Sequence, residues 1–104
     1  MVKVVVGYKL KKGVDIQSIL MKLRTHAITY PGFIGAENLV GMKDCSIVFV
    51  LYSWEKIQDW ERWENTIIRK KLLQEAEQLL SEPPRVRLYQ VLPTTRWNYN
   101  TYDT

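Results

Sequence analysis

With 104 residues and a formal net charge of +4, the chain has room for one domain with its own core and no surplus for a second. Its 15 lysines and arginines are dispersed among Lys9-Lys11-Lys12, Arg69-Lys70-Lys71 and Arg85/Arg87, with no dense basic patch on a recognisable nucleic-acid module, and no apolar run approaches the roughly 18 residues of a membrane span. Nucleic acid and membrane are therefore not expected partners, while one cysteine (Cys45) and one histidine (His26) argue against an intrachain disulfide and a protein-only zinc site.

Met1-Val2-Lys3 leads straight into a strand with no charged-then-apolar leader, so a cytoplasmic location is expected. Val2 to Leu10 alternates, with Val4, Val6, Tyr8 and Leu10 on one face and Val5, Gly7 and Lys9 on the other. Asp15 is a good N-cap for a helix whose stripe is Ile16, Ile19, Leu20, Leu23 and Ala27. Tyr30-Pro31-Gly32 ends that helix, because proline cannot continue it and glycine relieves the backbone beyond it. Phe33 to Met42 reads as a strand, Lys43-Asp44 as a two-residue turn, and Cys45 to Ser53 as the most apolar strand of the chain. Ser53 is the expected N-cap of a second helix from about Trp54 to Leu80, which Pro83-Pro84 terminates. Val86 to Leu92 is a final strand.

The order β-α-β-β-α-β is the split βαβ, or ferredoxin-like, α+β arrangement: an antiparallel four-stranded sheet with two helices on one face. It occupies residues 1–92, and Pro93 to Thr104, without any period, reads as a C-terminal arm. In the third strand Ile47, Phe49 and Leu51 face one way and Val48, Val50 and Tyr52 the other, both apolar. Two helices cover one face of such a sheet. The other is expected to be buried against a second copy, making a homodimer through the sheet faces. The aromatic Trp97, Tyr99 and Tyr102 in the arm, with Arg96, are expected to cross onto that partner.

Two stretches carry a family resemblance. Tyr30-Pro31-Gly32-Phe33-Ile34-Gly35-Ala36-Glu37 follows the first helix, and Leu51-Tyr52-Ser53-Trp54 runs into Glu55-Lys56-Ile57-Gln58-Asp59-Trp60. Over residues 2 to 92 the pattern resembles the antibiotic biosynthesis monooxygenase family of dimeric α+β barrels. The resemblance implies a homodimer packed sheet to sheet, with a pocket in each subunit between sheet and helices. It implies either of two chemistries. The haem-degrading branch uses an asparagine on the first strand with a tryptophan and a ligating histidine on the second helix. Trp60 matches the tryptophan, but Val6 or Gly7 stands for the asparagine and Lys70 for the histidine, so no haem or other cofactor is expected. The quinone-forming branch needs neither metal nor flavin. It holds an electron-rich phenol, assists its deprotonation, and lets the anion react with oxygen.

Such a site wants an apolar aromatic slot, donors for the substrate oxygens and a base. Phe33, Trp60 and Trp63 are the slot candidates, with Tyr8 and Tyr30 as polar lining. The catalytic candidates are His26, whose ordinary pKa of about 6.5 suits proton transfer, and Glu64. On a continuous second helix Glu64 shares the sector of Ile57, Trp60, Ile67, Ile68, Leu72 and Leu79, together with Lys71 and Glu75, which could pair. A kink near Asn65-Thr66 would instead turn Glu64 to solvent. Arg69-Lys70-Lys71 is expected on a solvated surface, and Cys45 as an inert small apolar residue. Two functions remain open. One is a cofactor-independent monooxygenase-like enzyme acting on a small aromatic or quinol. The other is a non-catalytic small-molecule-binding or dimerisation domain of the same fold.

Overall fold

The computed structural model describes residues 1–93, so the aromatic part of the expected arm lies outside the described residues. The elements are β1 (Val2–Lys9), α1 (Gln17–Ala27), β2 (Phe33–Val40), β3 (Ile47–Trp54), α2 (Ile57–Glu64), α3 (Ile67–Glu77) and β4 (Arg85–Gln90). The four strands form one sheet in the order β2-β3-β1-β4, every neighbour antiparallel. This is the expected ferredoxin-like α+β topology. Alternation decides which side is buried: Val2, Val4, Val6 and Tyr8 of β1 face the helices with Val48, Val50 and Tyr52 of β3. The α1 stripe is buried as expected, and the Asp15 carboxylate accepts from the Gln17 N–H at 2.9 Å, opening the helix from one residue before its cap. Among the described residues no helix is long and apolar enough to cross a membrane.

Three boundaries differ from the expectation. The turn between β2 and β3 is longer than Lys43-Asp44: Gly41 N–H donates to Ile47 O, and the Asp44 carboxylate takes the Ser46 N–H and hydroxyl. That local network leaves Cys45 exposed in the loop rather than packed in a strand. Ser53 is not a helix cap. It stays in β3 opposite Lys3, whose ammonium donates to its hydroxyl at 2.6 Å, and the helix opens instead at Lys56, whose N–H is taken by the Asp59 carboxylate.

The third difference matters most for function. The single helix expected from Trp54 to Leu80 is two, α2 and α3, so three helices rather than two lie against the sheet. Asn65 closes α2 by donating its side-chain amide to Glu61 O, and Thr66 is extended (φ −72°, ψ 148°). The Thr66 hydroxyl donates to Trp63 O at 2.8 Å and accepts from Arg69 N–H at 3.3 Å, capping α3. The break resets the helical phase. Ile67, assigned to the apolar sector on a continuous helix, is 75% exposed, Lys71 is exposed, and Glu75 reaches Lys22 of α1 instead of Lys71. Arg69 turns inward.

Candidate binding site

The layer between sheet and helices is built on tryptophan. Trp54, Trp60 and Trp63 are 0% exposed, linked to their neighbours by tilted and edge-on contacts: Trp54 to Trp60 at 6.3 Å, Phe33 to Trp54 and Tyr30 to Trp63 at 5.3 Å each. Their three indole N–H groups are buried without a hydrogen-bond partner. Five residues named from the sequence as pocket lining are thus placed. Phe33, Trp60, Trp63 and Tyr30 join the aromatic packing, and Tyr8 stands on β1 among the buried side chains. His26 is exposed in the last turn of α1, and Glu64 is half-buried at the end of α2. Among the described residues these two share no hydrogen bond or ion pair, so the structure does not bring the acid–base candidates together.

What it does bring together is a polar cluster that sequence reading missed. Arg69, from the first turn of α3, is only 8% exposed, and its guanidinium carbon lies 5.0 Å from the centre of the Trp60 ring. Tyr52 packs on Trp60 from β3, with ring centres 5.7 Å apart. Tyr8 and Tyr52 are each 3% exposed. Both phenols feel the Arg69 charge, and ionisation of Tyr52 would be felt at Tyr8. Among the described residues neither the guanidinium nor either phenol has a hydrogen-bond partner, and no carboxylate pairs with Arg69. The described side-chain atoms wholly buried without a partner are the three indole N–H groups, so the guanidinium and the phenols keep an edge open to solvent, where a ligand oxygen could take the place of water.

Burial pushes Tyr52 up to about 12, with Arg69 and then Arg24 opposing the rise, and burial together with Tyr52 pushes Tyr8 further still. Both therefore stay un-ionised at neutral pH and act as O–H donors. A folded pKa above the ordinary 10.0 means the folded state holds protons that the unfolded chain releases, so this stability is complete below about pH 10 and is lost as pH climbs through 12. Phenolate absorbance should show two of the 6 tyrosines silent until alkaline unfolding, and Tyr8→Phe with Tyr52→Phe should flatten the loss. Early, non-cooperative titration of all six would contradict the burial.

A groove of about 730 Å³ lies between α1, with the residues that lead into it, and the ends of β2 and β3 nearest their connecting loop. Its walls are mostly apolar, with Asp15, Gln17, Arg24 and Asn38 among them. Arg24 spans it, donating from its guanidinium to Ala36 O of β2 at 2.7 Å.

This arrangement of sheet and helices has counterparts among solved structures. A structure named antibiotic biosynthesis monooxygenase matches 89% of this chain and 100% of its own, with a TM-score of 0.78 and 16% identity. A Nitrosomonas europaea protein that carries the same name provisionally matches 89% of this chain and 100% of its own at a TM-score of 0.77 and 15% identity. The fold is that of the antibiotic biosynthesis monooxygenases. A conserved protein from Methanosarcina mazei Go1 has it too, over 86% of this chain and 90% of its own, with a TM-score of 0.77 and 14% identity. At such identities the monooxygenase fold is what is shared. By sequence, no family model matches the chain and no curated protein does.

Proposed function

We propose that the chain binds a small phenol or quinol between sheet and helices and oxygenates it without a cofactor. The observation that carries this reading is Arg69: a buried guanidinium on the face of Trp60, flanked by two phenols held un-ionised, with no counter-ion of its own among the described residues. A bound phenolate supplies the missing charge and accepts from Arg69, Tyr8 and Tyr52 at once. The guanidinium lowers the pKa of the bound phenol, whose proton leaves to solvent, so neither His26 nor Glu64 is needed as a base. An electron-rich ring carbon that still bears hydrogen, para to the oxyanion in a phenol and ortho to it in a quinol, then adds O2 as a hydroperoxide. Loss of water from that carbon leaves a quinone, with one oxygen atom in the new carbonyl and the other in water. The chain's part is to hold the anion, orient the ring on Trp60 and exclude bulk water.

Oxygen uptake by the full chain with a panel of hydroquinones and naphthols tests this. Uptake matched one to one by a quinone carrying one added oxygen atom, without hydrogen peroxide, and lost in Arg69→Met, is the expected result. Tight phenol binding with no uptake would leave the alternative, a non-catalytic ligand-binding domain. No binding would overturn the reading altogether.

The site belongs to a homodimer in this proposal. The sheet face away from the helices carries Val5, Leu39, Phe49 and Leu51, and Phe49 and Leu39 are substantially exposed in one copy. Sedimentation at micromolar concentration should give about twice the chain mass of 12.3 kDa. A stable monomer with native secondary structure would remove this part of the proposal.

A further inference from the structure

The groove beside the cluster is not explained by a small phenol. Roughly 150 Å³ is enough to hold a benzene ring, and the groove, at about 730 Å³, is several times larger. Its floor is Leu10, Ile16, Leu20 and Val48, and Val40 forms its outer lip. It exists because β2 is the sheet edge and α1 does not reach across it. Val40 pairs with Val48 on the helix side, yet it is 59% exposed where Val48 is buried.

Two relations in the sheet place this groove next to the Arg69 cluster. Val48 on the floor is the cross-strand neighbour of Tyr8, both pointing to the helix side. Arg24 lines the groove, and its charge also acts on Tyr52. It is tied to Ala36, the cross-strand neighbour of Tyr52. The polar cluster thus borders the groove on the helix side of the sheet: Arg69, Tyr8 and Tyr52 do not line it, and Tyr8 adjoins its floor at Val48.

From this geometry we infer that the ligand is a tailed phenol or quinol: an oxygenated aromatic head held at Arg69, Tyr8 and Tyr52, with an alkyl or isoprenoid chain lying in the α1–β2 groove. The inference rests on the functional reading above and adds the tail to it. A tail explains why the floor is apolar throughout while the polar residues Asp15, Gln17, Arg24 and Asn38 stand around it: the chain needs a dry bed, and the open side needs water-compatible walls.

The test is binding of a series of 4-alkylphenols, from 4-methylphenol to 4-decylphenol, to the full chain by calorimetry or tryptophan quenching. A methylene fully removed from water tightens binding about fourfold, and one lying in a groove open on one side about twofold, so affinity should climb steadily along the series. Val40→Glu and Met21→Glu alter exposed positions on the rim, so folding should survive, and each should flatten that climb. Arg69→Met should weaken every member by a similar factor and keep the slope. If all members bind alike, the head reading stands and the tail is wrong. If none binds, both fall. If the rim variants change the oligomeric state and leave the slope intact, the groove is a protein contact and the inference is overturned.

Discussion

Replacing Arg69 by methionine is expected to weaken phenolate binding by about 10- to 100-fold while leaving the protein as stable as before or more so. Hydrogen bonds to a charged group contribute about 1.5–3 kcal/mol, and a bound anion would lose its only cationic partner in the cluster. Stability changes little or moves the other way because the folded chain holds that cation mostly buried, with only an edge in solvent and, among the described residues, without a carboxylate. Exchanging such a group for an apolar side chain of similar volume is commonly neutral or stabilising. The contact with Trp60 offsets part of the gain, since a desolvated cation over an indole contributes up to about 2 kcal/mol. Arg69→Lys keeps the charge but not the planar fork and should fall between the two. Urea unfolding and phenol titration on the same samples decide the matter. Loss of about 3 kcal/mol of stability with unchanged binding would make Arg69 a structural residue and remove the basis of the proposed site.

The missed residue shows where sequence periodicity stops being informative. Strands and α1 were legible because their apolar spacing is regular and their ends are marked by Asp15, Pro31-Gly32 and Pro83-Pro84. The second helix was legible only in part: a kink near Asn65-Thr66 was one of two readings, and the break is made by one hydroxyl. Thr66 caps α3 without proline or glycine, and a wheel drawn straight through it places Ile68, Leu72 and Leu79 correctly but misplaces Ile67, Arg69, Lys71 and Glu75. Lys71 and Glu75 then fall inside and Arg69 outside, the reverse of the structure. Asn65-Thr66 was a visible cap signal, and restarting the wheel at Thr66 would have put Arg69, Leu72 and Ala76 on one face. Tyr52 was legible as a core position, but the Tyr8–Tyr52–Trp60 grouping needed the β1–β3 pairing and the helix packing together. Trp60 and Trp63 were legible as aromatic interior, and their complete burial makes them its walls. His26 stood out only because it is unique in composition, a property that carries no geometry.

Gly32→Ala is expected to cost about 3–6 kcal/mol, enough to threaten a domain whose total stability is of order 5–15 kcal/mol. Three effects coincide there. The backbone is left-handed, φ +86°, which costs an alanine about 1–2 kcal/mol. A Cβ at this point would run into the Asp59 side chain, reaching Oδ2, Cγ and Cβ together, and a forced fit in a packed region costs about 1–3 kcal/mol. Asp59 has nowhere cheap to go. It is buried, its carboxylate takes the Lys56 N–H at 3.2 Å and an Arg62 N–H at 3.0 Å, and losing a helix-opening contact of this kind costs about 1 kcal/mol. The damage also reaches the site, because Glu55 N–H donates to Gly32 O at 2.8 Å and Trp60 follows Asp59 directly on α2. Two other glycines separate the contributions. Gly13, at φ +76° with open space within 4 Å of where a Cβ would stand, should show the backbone cost alone when changed to alanine. Gly35, without positive φ and equally open, should show almost none. Denaturant unfolding of the three variants should therefore rank Gly32→Ala far above Gly13→Ala, and Gly13→Ala above Gly35→Ala. Equal losses at Gly32 and Gly13 would mean that Asp59 yields freely and that the α2 opening does not fix the position of Trp60.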